Sequence, residues 1–119
     1  MERAFLAPAV AADAAGVTEV VLALESSLYG QSAFSQADLE EEWSEVDLEQ
    51  DVGVVRDGDR IVGYGVVRER GAPWRVEGYV HPDALGRGIG RLIATWLEEN
   101  PARRGAGRIQ IREGVGDAA

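Results

Sequence analysis

The sequence predicts an α+β domain in which a short opening strand and two helices precede three consecutive strands, a helix and one further strand. Three observations carry that expectation. Apolar residues recur at helical spacing in two stretches before residue 47. An Asp-Gly turn then joins two β-rich runs, and a series of glycines leads from a third such run straight into another amphipathic stretch. With 119 residues, 45% of them apolar, the chain can bury roughly two-thirds of its unfolded surface in one core, and a second complete domain is excluded.

The opening strand falls within Arg3 to Pro8. From about Ala9 to Tyr29, the residues Val10, Val17, Val20, Val21, Leu24 and Leu28 form the stripe of an amphipathic helix, which Gly30 closes. Ser35 with Asp38 three residues on reads as a helix N-cap, followed by Leu39, Trp43 and Val46 on one face and Glu40, Glu41, Glu42 and Glu45 on the other. The runs Val52 to Arg56 and Ile61 to Arg70 flank Asp57-Gly58-Asp59-Arg60, and Asp-Gly supplies the positive φ values of a tight hairpin. A third strand, Trp74 to Val80, stops at His81-Pro82 because proline cannot donate to a ladder. After Gly86, Gly88 and Gly90, the residues Ile89, Leu92, Ile93, Trp96 and Leu97 mark a helix that ends near Asn100-Pro101. Trp43 and Trp96 are core residues on this spacing, and Trp74 belongs to the core or its rim. A short strand from about Arg108 to Arg112 completes a domain of residues 1–112, and residues 113–119 form a loose tail rich in Gly, Ala and Asp.

Composition removes several chemistries. The chain has no cysteine and one histidine, which excludes disulfides, thiol nucleophiles, cysteine-type zinc sites and two-histidine metal motifs, so no metal is expected. All 12 basic residues are arginines, which excludes a Schiff-base or P-loop lysine, and no Gly-x-Ser-x-Gly elbow is present. The net charge of −9 is unevenly spread: residues 1–51 carry 12 acids against Arg3 alone, while residues 52–119 carry 9 acids against 11 arginines. Anions are therefore expected in the second half, and neither nucleic acid nor an anionic membrane is expected as a partner. No apolar run approaches the roughly 20 residues of a membrane span. The Ala-rich start after Arg3 has the length of a signal-peptide core, but Pro8 interrupts it and Glu2 precedes it, so a cytoplasmic protein is expected.

The stretch that carries chemistry is Val80-His81-Pro82-Asp83-Ala84-Leu85-Gly86-Arg87-Gly88-Ile89-Gly90-Arg91. Unpaired N–H groups at a helix start, with the positive end of the helix dipole, make an anion site, and glycines let a phosphate approach the backbone. A dinucleotide fingerprint counted from Gly86 would need a glycine where Arg91 stands, and a Walker loop would need a lysine. The alternative is that these glycines only shape a tight strand-to-helix turn.

In its surroundings this stretch resembles the acyl-CoA motif of the GNAT superfamily of N-acetyltransferases, Arg/Gln-x-x-Gly-x-Gly/Ala after a strand ending in Val-x-Pro. Gly88 and Gly90 fall on the two glycine positions, and Val80, Pro82 and Asp83 match the lead-in. The opening Arg3 to Pro8 followed by Asp13-Ala14, and the hairpin with Gly63 after its turn, also look like the family's, so that the resemblance spans about residues 3–112. It implies a mixed, mainly antiparallel sheet flanked by helices in the order β-α-α-β-β-β-α-β. Two departures stand out. Leu85 occupies the Arg/Gln position, which removes a side chain but keeps the amide. The family also continues with a further helix and two strands, carrying an Asn that meets the cofactor and often a Tyr that reprotonates the leaving thiolate. The chain is thus expected to be the first two-thirds of such a domain, from a longer or tandem protein.

The resemblance implies direct acetyl transfer from acetyl-CoA to the primary amine of a small-molecule acceptor. The pyrophosphate is expected on the amides of Leu85, Gly86, Arg87, Gly88, Ile89, Gly90 and Arg91, and the pantetheine beside Tyr79 and Val80, where a backbone N–H polarises the thioester carbonyl. Glu77 is the expected general base, with plain exposed surface as its alternative role, and Tyr79, on the same face, is the candidate acid, with packing as its alternative. Gln110 is expected only to orient water; His81 is a candidate by its place beside the loop, and the Arg87 and Arg91 side chains face either phosphate or solvent. The block from Asp38 to Asp51 holds eight carboxylates and no base; it is a solvated face or an attractant for a cationic acceptor. Beyond the acceptor, the partner expected is a second copy of the chain or the missing C-terminal part. The competing function is a non-catalytic CoA-binding or protein-interaction module of the same fold.

Overall fold

The computed structural model describes residues 5–69, 73–107 and 109–112, with residues 111 and 112 described as backbone only. Five strands, β1 (Leu6–Pro8), β2 (Val52–Asp57), β3 (Arg60–Arg68), β4 (Trp74–Val80) and β5 (Ile109–Arg112), lie in that order in one sheet. Neighbours from β1 to β4 are antiparallel, and β5 runs parallel to β4 after a helical crossover. Helices α1 (Ala14–Tyr29) and α2 (Gln36–Trp43) pack on one face through Val17, Val20, Leu24, Leu39 and Trp43 against Val52, Val54, Tyr64 and Val66. Helix α4 (Ile89–Arg103), which follows a short α3 (Leu48–Asp51), covers the other face through Ile89, Ile93 and Leu97 against Val55, Val62, Val67, Val76 and Val80. Each fully buried Val or Leu contributes about 1.5–3 kcal/mol, so both layers are needed to hold the sheet. This is the α+β, mostly antiparallel arrangement expected from the sequence.

Several boundaries differ, for local reasons. The first helix starts at Ala14 rather than about Ala9, because the Ala9 amide still donates to Val52 O (3.2 Å) and residues 11–13 make a 3-10 turn first. Asp13 accepts the Val10 amide at 2.9 Å and pairs with Arg56 at 2.7 Å, which pins that turn to β2. Val10 and Leu28 are consequently exposed and lie outside the buried stripe. Gly30 ends α1 at φ 83°, a left-handed conformation that glycine takes without strain. Ser35 caps α2 as expected, its Oγ accepting the Asp38 amide while the Asp38 carboxylate accepts the Ser35 amide. Helix α3, not anticipated, is capped by Asp47, whose Oδ1 accepts the Glu49 amide at 3.0 Å.

The hairpin closes at Asp57↔Arg60 with Gly58 at φ 65°. Val55 pairs with Gly63 but Arg56 with Ile61, so Val62 is an extra residue that bulges β3 and turns Val62 and Gly63 to the same face. β3 ends at Arg68; Arg70, at the end of the expected run, lies outside the described residues, as do Arg108 and the expected tail. Helix α4 continues past Asn100-Pro101 to Arg103, since its last turn closes with bonds to the third residue back, Arg104 N to Pro101 O (3.1 Å) and Gly105 N to Ala102 O (3.2 Å), which do not use the missing proline N–H. Asn100 also ties this end to the Gln50 carbonyl at 2.9 Å.

Candidate functional site

The site grows from the end of β4. His81 N donates to Val62 O at 2.9 Å, and in an antiparallel ladder the bonded pairs alternate, so Tyr79 and Glu77 spend their backbone groups on β3 while Gly78 and Val80 turn theirs the other way. On that other side β5 pairs with β4 only from Trp74 to Glu77. The Glu77↔Arg112 pairing uses the Gly78 N–H, so among the described residues the outward N–H of Val80 has no strand partner. This corrects one expectation: Val80 offers its backbone at the open edge, whereas the Tyr79 backbone belongs to the ladder.

The chain then passes through a 3-10 turn, Pro82–Ala84, whose entry is capped by His81 Nδ1 accepting the Asp83 amide at 3.1 Å. Leu85 is extended and 42% exposed, and Gly86 and Gly88 both adopt φ 80°, with open space where a side chain would stand. Gly88 is the N-cap of α4, which leaves the first-turn amides without helical acceptors. Among the described residues, no amide from Gly86 to Arg91 donates to protein. The positive φ values show that the glycines shape the turn, and the same geometry exposes a run of free donors at the positive end of a 15-residue helix. The residues fit a phosphate-bearing cofactor on both counts. Arg87 does not aim at that space: its guanidinium pairs with Asp57 at 3.0 Å. Arg91 is exposed with no described partner.

On the α1/α2 face, Glu77 and Tyr79 point into a different space. The Tyr79 ring is buried, stacked on Tyr64 at 5.6 Å between centroids, and its hydroxyl lies 3.5 Å from Glu77 Oε1. Trp43 Nε1 donates to the Tyr64 hydroxyl at 3.2 Å, and burial pushes the Tyr64 phenol well above its ordinary range. Arg68 reaches across from β3, tightly to Glu42 Oε1 (2.8 Å) and loosely to Glu77 (3.4 Å). Burial works against the Arg68 charge, but the Glu77 and Glu42 carboxylates outweigh it and hold the guanidinium firmly protonated. Glu42, Arg68 and Glu77 line a cleft of about 610 Å³ together with Glu45, Asp51, Glu69 and Arg75, and Arg104 pairs with Asp51 at 2.7 Å and Glu69 at 2.8 Å. A smaller cavity of about 200 Å³ continues it toward Val21, Phe34 and Tyr79.

The structure thus gathers Val80 and Leu85 through Arg91 at one end of β4 and sets Glu77 and Tyr79 beside them on the helical face. Gln110 is exposed on β5, in register with Arg75 rather than with the open edge. His81 is buried and caps the turn. Arg68 was missed by sequence reasoning, and Glu42 was misassigned to the outer face of α2. Its spacing gives the signal: Glu42 follows the buried Leu39 by three residues, which puts it beside the inward stripe. Among the described residues, no three His, Asp or Glu side chains come together as a metal site, and no helix is long and apolar enough to cross a membrane.

Residues 18–118 match the model of the acetyltransferase (GNAT) family. Among solved structures, a GCN5-related N-acetyltransferase from Sphaerobacter thermophilus is 27% identical with a TM-score of 0.80, over 87% of this chain and 34% of that protein. A GNAT superfamily phosphinothricin acetyltransferase from Sinorhizobium meliloti, in complex with acetyl-CoA, is 25% identical with a TM-score of 0.68, over 85% of this chain and 61% of that one. A ribosomal-protein-alanine N-acetyltransferase from Brucella melitensis shares the fold, at 20% identity and a TM-score of 0.76, over 96% and 76% of the two chains. No curated protein sequence matches. The chain therefore spans about a third of the Sphaerobacter protein and under two-thirds of the Sinorhizobium one. Family model, sheet order and glycine loop agree, and the chain belongs to the acetyltransferase (GNAT) family.

Proposed function

We propose that the chain is the cofactor-binding and acceptor-facing part of an N-acetyltransferase that moves an acetyl group from acetyl-CoA to the primary amine of a small, cationic acceptor. The observation that carries this is the continuity of free donors, from the outward Val80 N–H at the open edge of β4 to the amides Gly86 to Arg91 at the start of α4. The loop amides would hold the diphosphate, at about 1.5–3 kcal/mol gross per charge-assisted bond, which less the cost of association suits a roughly micromolar ligand. The Val80 N–H is the donor for the acyl oxygen. When bound, acetyl-CoA supplies the activated acyl group.

Glu77 takes the proton from the acceptor's ammonium, directly or through water. Its contacts with Arg68 and Tyr79, all 3.4–3.5 Å, leave the carboxylate loosely held. Tyr79 is buried and stacked, so it orients Glu77 better than it could donate a proton at the open edge. Five carboxylates line the cleft against Arg68, Arg75 and the Arg104 that pairs with Asp51 and Glu69, and this excess favours a cationic acceptor.

Calorimetry with CoA tests the assignment. Gly88→Ala and Gly88→Glu carry the same backbone strain, but only the second adds negative charge at the loop. The alanine variant should retain binding and the glutamate variant should lose it. A folded Gly88→Glu protein that binds CoA like the wild type would sink the proposal.

A further inference from the structure

The glycine loop is exposed and short of apolar anchors. Ala84 is buried, but Leu85 is 42% exposed, and Gly86 to Gly88 lie open in partly left-handed backbone. What reaches the loop from the rest of the fold is the β2–β3 turn. On one side of that turn, Arg60 sets Nη2 3.0 Å from His81 Nε2 and 3.5 Å from Asp83 Oδ2, at the beginning of the loop. On the other, Asp57 holds the Arg87 guanidinium at 3.0 Å, at the glycine end. A neutral imidazole accepts at one nitrogen only. Whether the ring accepts from Arg60 or from the Asp83 amide, the Asp83 carboxylate keeps Arg60 at the same end.

We propose that the β2–β3 turn positions the phosphate loop: Asp57 and Arg60 hold its two ends, and affinity for the CoA diphosphate depends on that hold. The inference rests on the assignment of the loop as the diphosphate site. Several amides grip one anion only if they converge at once, and a loop already fixed in that arrangement loses less freedom on binding. Arg87 then contributes its amide to the ligand and its side chain to the anchor. Asp57 and Arg60 are positioning residues, and both pairs are half-exposed, so each has a modest effect. Because they secure opposite ends of one segment, losing both leaves the glycines held only by the chain itself.

The test is calorimetry with CoA on the wild type, Asp57→Asn, Arg60→Gln, the double variant, and the conservative Asp57→Glu, which keeps the charge that holds Arg87. Asp59→Asn, in the same turn but without a described contact to the loop, is the reference. Each single neutralisation should weaken binding about threefold and the double about tenfold, with Asp57→Glu within about twofold of wild type and Asp59→Asn unchanged. Binding kept in Asp57→Glu and weakened in Asp57→Asn ties the effect to the charge that holds Arg87 rather than to general loosening of the fold. Unchanged affinity in Asp57→Asn and Arg60→Gln overturns the inference, as does tighter binding in Asp57→Asn. Gly88→Glu separates this from the parent assignment: if it leaves CoA bound, the loop is not the diphosphate site. If it abolishes binding while the turn variants are indifferent, only the positioning role fails.

Discussion

At Gly63 the sheet lies close against α4, the helix into which the glycine loop leads. A methyl group there would stand 2.7 Å from Ile93 Cδ1, 2.9 Å from Ile89 Cγ2 and 3.3 Å from Val55 Cβ. Ordinary contact begins at 3.4 Å, so the first of these is short by about 0.7 Å. Ile93 Cδ1 is a side-chain end and can rotate, but Ile89 Cγ2 sits on a branched Cβ and moves only with the helix. Overpacking of this kind costs about 1–3 kcal/mol, partly offset by the roughly 0.4–1 kcal/mol that losing a glycine removes from the unfolded chain's entropy. Gly63→Ala should therefore destabilise by about 1–2 kcal/mol. Ile93→Val, which deletes the nearest atom, should cost about 0.5–1.5 kcal/mol alone through the gap it leaves. Combined, each change relieves the other, and the double variant should be more stable than the sum by about 1 kcal/mol. Urea unfolding followed by tryptophan fluorescence measures all four proteins. Strict additivity, or a neutral Gly63→Ala, would show that α4 does not press on β3 as described.

With a diamine and a neutral-tailed monoamine as acceptors for the proposed activity, Glu77→Gln should lower the rate with CoA affinity nearly unchanged, and Glu42→Gln with Glu45→Gln should raise KM mainly for the diamine, less so as salt rises. Equal responses of the two amines would return those glutamates to the role of a solvated face. The Tyr64 phenol, raised by burial, stays protonated in the fold after its unfolded counterpart ionises near pH 10.0. The sign is fixed: the native state binds more protons, so stability is lost as pH rises above 10, at about 1.4 kcal/mol per unit. Tyr64→Phe should flatten that slope in alkaline unfolding curves; an unchanged slope would mean that Tyr64 is not buried in the fold.

Local chemistry made much of this legible in the sequence. The Asp57-Gly58 turn, the Ser35–Asp38 box and the bounds of β4 need only neighbours in sequence, and each formed where expected. What could not be read depends on distant partners. Ile61-Val62-Gly63 sits in an apolar run with no alternation to break, so the bulge leaves no trace there. The extension of α4 past Pro101 overrode a sound local rule, helped by Asn100 reaching a carbonyl fifty residues away. At the site, the loop amides followed from the glycines and the helix behind them. The Arg68 bridge between Glu42 and Glu77 joins three elements that no sequence spacing relates.

Among the described residues the outward amide of Val80 has no strand partner, and this also bears on how the protein keeps to itself. A strand edge left open beside its neighbour is a template on which another copy's strand could add, and such edges are where sheets begin to aggregate. A cofactor lying along the end of β4 would occupy that donor as a surrogate strand. The same binding would stabilise the native state by mass action, about 2.7 kcal/mol at a hundred times Kd. Cells that keep this cofactor abundant would then be protecting the chain as well as supplying it. The net charge of −9, which sets copies of the chain repelling one another, works to the same end in its absence.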